Sequence, residues 1–535
     1  MIVKQLRALA SAVALLGMAA AMPFSNMAQS NGHGSSTTTP IKHVIVIFNE
    51  NVSFDHYFAT YPYAANRSGE HPFRAKAGTP SVNNLLAGGL LDQNPNSTQP
   101  FRLGPSEAAT CDQDHDYGDE QTAFNHGLMD KFPESVGSGG PGCYDAGKGP
   151  GIVMSYYDGN TVTAIWNYAQ HFAMSDNSYG TNFGPSTVGA VNLISGNTCC
   201  ATLVPLAADG KTPGNPAGSI AGAQNQGAVI GDPRPGYDNC LTTPVLGTAK
   251  KTRITMTGTN VGDLLNAKGI TWGWFQGGFG VTGVNTDGTP ACGAVSTGIA
   301  SPNGYNDYIP HHEPFQYYQS TANPNHLPPS SLSHIGKTDQ ANHQYDLSYF
   351  WTALQQGDLP TVTFLKAKGV QDGHPGYSDP IDEQTFIVNV VNAISKSQYW
   401  KDAAIIIAYD DSDGWYDHAM DPVVNQSDVS DDSLTGPGAC GVTAVGGTPG
   451  RCGYGPRLPL LVISPYSKTN YVDHQITDQS SILRFIEDNW NLGRIGNGSL
   501  DEKAGTLNSF FDWDCTPNPK LILDPSTGQP TGGWN

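Results

Sequence analysis

Two apolar runs of strand length, far apart in the chain, each end in a cluster of oxygen-bearing side chains. The first, Val44–Phe48, is continuous and β-branched, the mark of a strand buried on both faces. It runs into Glu50-Asn51-Val52-Ser53-Phe54-Asp55. The second, Ala404–Tyr409, runs into Asp410-Asp411-Ser412-Asp413-Gly414-Trp415-Tyr416-Asp417-His418. Helical periodicity is found over Thr161–Phe172, Ser186–Ser195, Asn260–Lys268, Asp346–Gln355, Ile381–Ser395 and Ser480–Asn489. In the fifth of these, Phe386, Val390 and Ile394 recur at every fourth position, as one helix face requires. Further strands are predicted over Ile270–Phe275, Thr361–Leu365 and Leu458–Ser464. This alternation predicts an α/β fold: a mainly parallel central sheet with helices on both faces. Such sheets bind ligands outside the carboxyl ends of their strands. The two polar clusters are therefore expected to meet there.

The periodic segments are separated by stretches rich in turn residues, at about 66–150, 201–258, 280–343 and 421–456. They account for much of the 63 Gly and 38 Pro. They are expected to be long loop insertions around the rim of the site. At the start, Lys4 and Arg7 precede an apolar Ala8–Met22, with small residues at Ala21 and Ala28 where cleavage could fall. The organisation read from the sequence is an export signal at 1–28, a linker at 29–40, a catalytic domain at 41–502 and a tail at 503–535. A retained anchor is the alternative, but the apolar run is short of the ~20 residues a span needs. No integral span is expected in the mature chain, which would be secreted or periplasmic.

Nine cysteines without a CxxC pair fit disulfides better than zinc. Cys440 with Cys452 and Cys111 with Cys143 are local candidate pairs, and the odd count leaves one thiol over. The net charge of −20 argues against a nucleic-acid partner and against attraction to anionic lipid through a basic patch.

The candidate chemistry lies in three places. Asp410-Asp411-Ser412-Asp413-Gly414 is not an EF-hand loop, because with Gly414 at position six the closing Glu would fall on Met420. It reads as carboxylates offered to a metal at a strand end, or as a solvated acidic turn. Gly184-Pro185-Ser186 lacks the second glycine of a nucleophile elbow. Alone it reads as a serine capping a helix; beside a metal, Ser186 would be an activated nucleophile. His311-His312, in a proline-bounded segment, and His374, after the Thr361–Leu365 strand, are candidate phosphate donors, general acids or metal ligands, with surface histidines as the alternative.

Together the Glu50-Asn51-x-Ser53-Phe54-Asp55 start, the Gly184-Pro185-Ser186 turn and the Asp410–His418 block resemble the bacterial phosphoesterase family. That family includes phosphatidylcholine-type phospholipases C and secreted acid phosphatases, and its core is similar to the alkaline phosphatase fold. The resemblance spans about residues 41–495. It implies one divalent metal ion held by Glu50, Asn51, Ser186, Asp410 and Asp411, with Ser186 as nucleophile. It also implies phosphate contact or proton transfer by His311, His312 and His374. Asp417 and His418 match the shared block without an assigned role. The paired histidines, the serine where phospholipases tend to carry threonine, and Asp410-Asp411 where they tend to carry Asp-Glu resemble the acid phosphatase branch. The expected substrate is a phosphate monoester, with a phospholipid diester as the alternative. Histidines near the ordinary value of ~6.5 would suit mild acid.

Overall fold

The apolar runs assemble into one eight-stranded sheet. The computed structural model describes residues 36–204, 219–221, 226–240, 253–286, 288–420, 422–436, 439–441, 447–514 and 517–532. In chain order the strands are β1 (His43–Asn49), β2 (Ala173–Ser175), β3 (Trp272–Gln276), β4 (Gln344–Asp346), β5 (Val362–Lys366), β6 (Ala403–Tyr409), β7 (Leu460–Ile463) and β8 (Tyr471–Asp473). Their order across the sheet is β4-β3-β5-β1-β6-β7-β2-β8. The first five in that order are mutually parallel. β7 runs antiparallel to both of its neighbours, and β8 pairs parallel with β2. The expected mainly parallel sheet is therefore present, with one reversed strand at the Leu458–Ser464 position.

Residues of β1 alternate between two cores, as the period of two in a strand dictates. Ile45 and Ile47 pack with Ile165 and Trp166 of the Thr163–His171 helix, and with Phe386, Ile387 and Val390 of the Pro380–Lys396 helix. Val44, Val46 and Phe48 pack on the opposite face. Their partners there include Val188, Val191 and Ile194 of the Ser186–Ser195 helix, Leu265 of Val261–Lys268, and Ile482 and Ile486 of Gln479–Trp490. Helices thus cover both faces, which explains why the central strands are apolar throughout.

Helix starts follow capping chemistry. Asn260 accepts from the backbone N–H groups of Gly262 and Asp263. Asp379 accepts from those of Ile381 and Asp382, with Pro380 opening the helix. Ser186 does not cap. It is the first helical residue after Pro185, and its side chain is free to face the strand ends.

Among the described residues, four disulfides join Cys111–Cys143, Cys199–Cys200, Cys240–Cys292 and Cys440–Cys452. Both pairs expected from the sequence are among them, while Cys515 and the export segment lie outside the described residues. Beyond Lys503, Leu507 and Phe510 enter one core and Leu521 and Leu523 the other. No helix among the described residues is long and apolar enough to cross a membrane.

Candidate active site

Register places the first two polar clusters side by side. Asn49 pairs with Tyr409 where β1 and β6 end, so Glu50 and Asp410 leave the sheet together. Asn51 then takes a left-handed backbone (φ 58°), a conformation asparagine tolerates. Its N–H donates to Asp410 Oδ1 at 3.0 Å, and the Asp411 N–H donates to the same oxygen at 2.8 Å. The Asn51 amide donates to Asp413 Oδ1 at 2.9 Å, which fixes its orientation and leaves its carbonyl oxygen toward Ser186.

Ser186 arrives from the opposite side of the loop cluster, on its own helix. That helix approaches so closely that a side chain at Gly189 would put its first carbon 2.1 Å from the Asp410 carbonyl oxygen. Ser186 Oγ lies 3.0 Å from Glu50 Oε2, 3.1 Å from Asp411 Oδ2 and 3.4 Å from Asn51 Oδ1. It is 1% exposed. A hydroxyl has one proton and can satisfy one of these acceptors. The remaining oxygens converge without a donor, and Asp410 Oδ2, also buried, has no hydrogen-bond partner. Buried carboxylates crowded in this way are costly unless a cation joins them. An all-oxygen set fits a hard divalent ion, so Glu50, Asn51, Ser186, Asp410 and Asp411 suit the metal that the sequence reading assigned to them.

The histidines surround this cage unequally. His312 is buried, with Nδ1 3.1 Å from Glu50 Oε1 and an Nε2 that has no hydrogen-bond partner. The His311 ring packs edge-on against it, centroids 4.4 Å apart. His374 holds the Pro375 carbonyl at 2.7 Å through Nδ1 and stacks on Tyr377. Burial lowers all three below the ordinary imidazole value, and neighbouring histidines lower His312 further. Burial thus favours their neutral form. His312 also contacts Glu50 directly, so its removal would disturb the cage around Ser186.

Two residues that sequence reasoning passed over complete the site. His115, from the 66–150 insertion, brings Nε2 to 3.5 Å from the Asn51 amide nitrogen and Nδ1 to 3.7 Å from Asp413 Oδ1. Burial opposes its charge, but Asp411, Asp413 and Asp112 outweigh burial and raise it well above the ordinary value. The run Cys111-Asp112-Gln113-Asp114-His115 was the available signal, a histidine among carboxylates in a turn-rich stretch. Lys366 ends β5, the strand beside β1. Its ammonium contacts Glu50 Oε1 and lies 3.8 Å from Asp410 Oδ2.

Two buried carboxylates hold the frame. Glu120 accepts from the Gly184 N–H at 3.0 Å and from Ser412 Oγ at 2.7 Å, tying the serine turn to the acidic loop. Glu383 accepts from Asn49, Tyr57 and Tyr409 at 2.6–2.7 Å, beneath the ends of β1 and β6. Burial pushes each of them up to about 7.

Asp417 and His418 stand apart from the cage. With Asp55 and Arg457 they form a buried clasp that joins the Ser53-Phe54-Asp55 start to the end of the acidic block. Arg457 Nε donates to Asp417 at 3.1 Å, an Arg457 Nη lies 3.4 Å from Asp55, and His418 Nδ1 pairs with Asp55. Burial opposes ionisation of both His418 and Asp55, but their mutual attraction wins, raising His418 and, with Arg457, lowering Asp55. The His418 contribution to stability is full below 6.5 and is lost as pH rises through its higher folded value. The Asp55 contribution is full above 3.8 and is lost as pH falls through its lower folded value. Asp55→Asn should therefore destabilise the protein most between about pH 4 and 6.5, by roughly 3 kcal/mol or more, and less at higher pH. Urea midpoints measured across pH check this, and a pH-independent loss would contradict it.

The family model for the Phosphoesterase family matches residues 41–493, and the chain belongs to that family. It is a phosphoric ester hydrolase by that membership. Phospholipase C B of Mycobacterium tuberculosis is 23% identical over 526 residues, covering 96% of this chain and 85% of the relative. A non-hemolytic phospholipase C of Pseudomonas aeruginosa is 30% identical over 181 residues, covering 32% of this chain and 26% of that one. Non-specific phospholipase C3 of Arabidopsis thaliana is 28% identical over 211 residues, covering 37% and 38%. Among solved structures, a Vibrio parahaemolyticus protein in the alkaline phosphatase superfamily aligns with a TM-score of 0.27 and 11% identity, covering 76% of this chain and 75% of that one.

Proposed function

We propose that the protein is an exported, metal-dependent phosphomonoesterase that works through a phosphoserine at Ser186. The observation that carries this reading is the Ser186 hydroxyl, buried and faced by three oxygen acceptors although it has one proton to give. A divalent ion held by Glu50, Asn51, Asp410 and Asp411 would supply Lewis acidity, lowering the pKa of the serine hydroxyl and offsetting charge on the phosphoryl oxygens. Ser186 Oγ gives its proton to the Glu50 or Asp411 carboxylate that faces it and attacks phosphorus, and the ester P–O bond breaks. The leaving alcohol takes a proton from an imidazole, for which His115, His311, His312 and His374 are the candidates at the cage. Water then attacks the phosphoserine, its released proton recharging the imidazole, and inorganic phosphate leaves as the carboxylate returns its proton to Ser186. The paired histidines and the serine of the Gly184-Pro185-Ser186 turn support the phosphatase reading. Four disulfides and the basic-then-apolar start support export.

A second reading, phospholipase C, is favoured by the printed names of the relatives. The two differ in product. Supplied with p-nitrophenyl phosphate and with phosphatidylcholine vesicles in parallel, the enzyme should release inorganic phosphate from the first faster than phosphocholine from the second. Faster phosphocholine release would establish the phospholipase reading instead.

A further inference from the structure

We propose that Lys366 tunes this site toward doubly charged phosphoryl groups, and so favours phosphomonoesters over phosphodiesters. The inference rests on the metal-and-serine reading above. Lys366 is a buried residue at the carboxyl end of β5, 1% exposed, with its ammonium 5.4 Å from the Phe48 ring centroid. It touches Glu50 through Oε1, while the other oxygen of that carboxylate, Oε2, faces Ser186. It also lies 3.8 Å from Asp410 Oδ2, the buried oxygen without a hydrogen-bond partner. The lysine therefore bears on the Glu50 oxygen that does not face Ser186 and on the open oxygen of Asp410, and so on the charge of the cage.

The charge count shows what it does there. Glu50, Asp410 and Asp411 bring three negative charges, and one divalent ion offsets two of them. Lys366 offsets the third; Asp372 and Asp413 nearby are further carboxylates and His115 a further cation, and loss of Lys366 makes the total one unit more negative whatever their sum. Without it the site holds one more unit of negative charge in a place that water screens poorly. A phosphomonoester dianion meets that surplus with twice the charge of a phosphodiester monoanion, and the cost falls more heavily on the monoester. A buried charge of this kind gives discrimination between partners more than raw affinity.

The test uses the full chain loaded with a divalent ion and two neutral replacements, Lys366→Met and Lys366→Gln. Glutamine keeps a donor for Glu50, so it separates charge from hydrogen bonding and retains a polar partner should methionine fail to fold. For each folded variant, kcat/KM is measured on p-nitrophenyl phosphate and on bis(p-nitrophenyl) phosphate. Metal content comes from elemental analysis, and the competitive constant of inorganic phosphate is measured alongside. The monoester-to-diester ratio is expected to fall by roughly tenfold or more in both variants. Inorganic phosphate should weaken in step, with metal content unchanged. A ratio within threefold of wild type in folded Lys366→Gln overturns the proposal, since a donor without charge would then suffice. A wild type that takes up no divalent ion and hydrolyses neither ester overturns the metal-and-serine reading itself, which separates the two failures.

Discussion

Ser186→Ala is expected to lower phosphomonoester turnover by roughly 10³-fold or more while leaving the thermal unfolding midpoint within a few degrees of wild type. A nucleophile forms the bond on which the later steps depend, so its loss is not shared out among its neighbours. The fold should survive because Ser186 does not cap its helix, and alanine fills the same first helical position without creating a cavity. Rapid-quench detection of labelled phosphoserine in the wild type, and its absence in the variant, would complete the measurement. Turnover within a few-fold of wild type would rule Ser186 out as nucleophile and turn attention to Thr187.

Asp411→Ala should act on the metal first and the rate second. Asp411 contributes one oxygen to the Ser186 cage and holds the Asp413 N–H with the other at 2.7 Å. Its removal takes a full negative charge from the ligand set. The expected loss of metal affinity exceeds the 10–100-fold typical of changes one shell further out. At a metal concentration a hundred times the wild-type dissociation constant, binding to the folded state is worth about 2.7 kcal/mol. Wild-type protein should therefore lose about that much stability on chelation, and Asp411→Ala should show almost no chelator effect. Elemental analysis after gel filtration gives the direct check. A fully active wild type with no stoichiometric metal would sink the arrangement altogether.

The parts of the fold legible in the sequence were those with enough length to show a period. Val44–Phe48 and Ala404–Tyr409 announced themselves because strands buried on both faces leave no room for polar residues. The Ser186–Ser195 helix was bounded by a proline before it and a glycine after it. The three-residue strands Ala173–Ser175, Gln344–Asp346 and Tyr471–Asp473 were not legible, since three positions cannot display alternation. Of the site, the residues that follow strand ends directly, Glu50, Asn51, Asp410 and Asp411, could be read from local pattern. His115 could not, because its neighbours in space are set by the path of a long insertion. Lys366 was hidden differently. A lysine after an apolar run normally marks where a strand reaches solvent, and here the same pattern conceals a charge buried against Glu50.

The Cys111–Cys143 disulfide closes a loop of the insertion that carries both His115 and Glu120. One of these reaches Asn51 at the oxygen cage, and the other ties down the serine turn. The cross-link therefore joins the chemistry of the site to the redox state of its surroundings. In a thiol-rich compartment the tether does not persist, and the loop must be ordered against its full conformational freedom. The sheet, whose strands owe nothing to that bond, can form without it. A reduced chain can thus keep its sheet while His115 and Glu120 lose the cross-link that shortens the path of their loop.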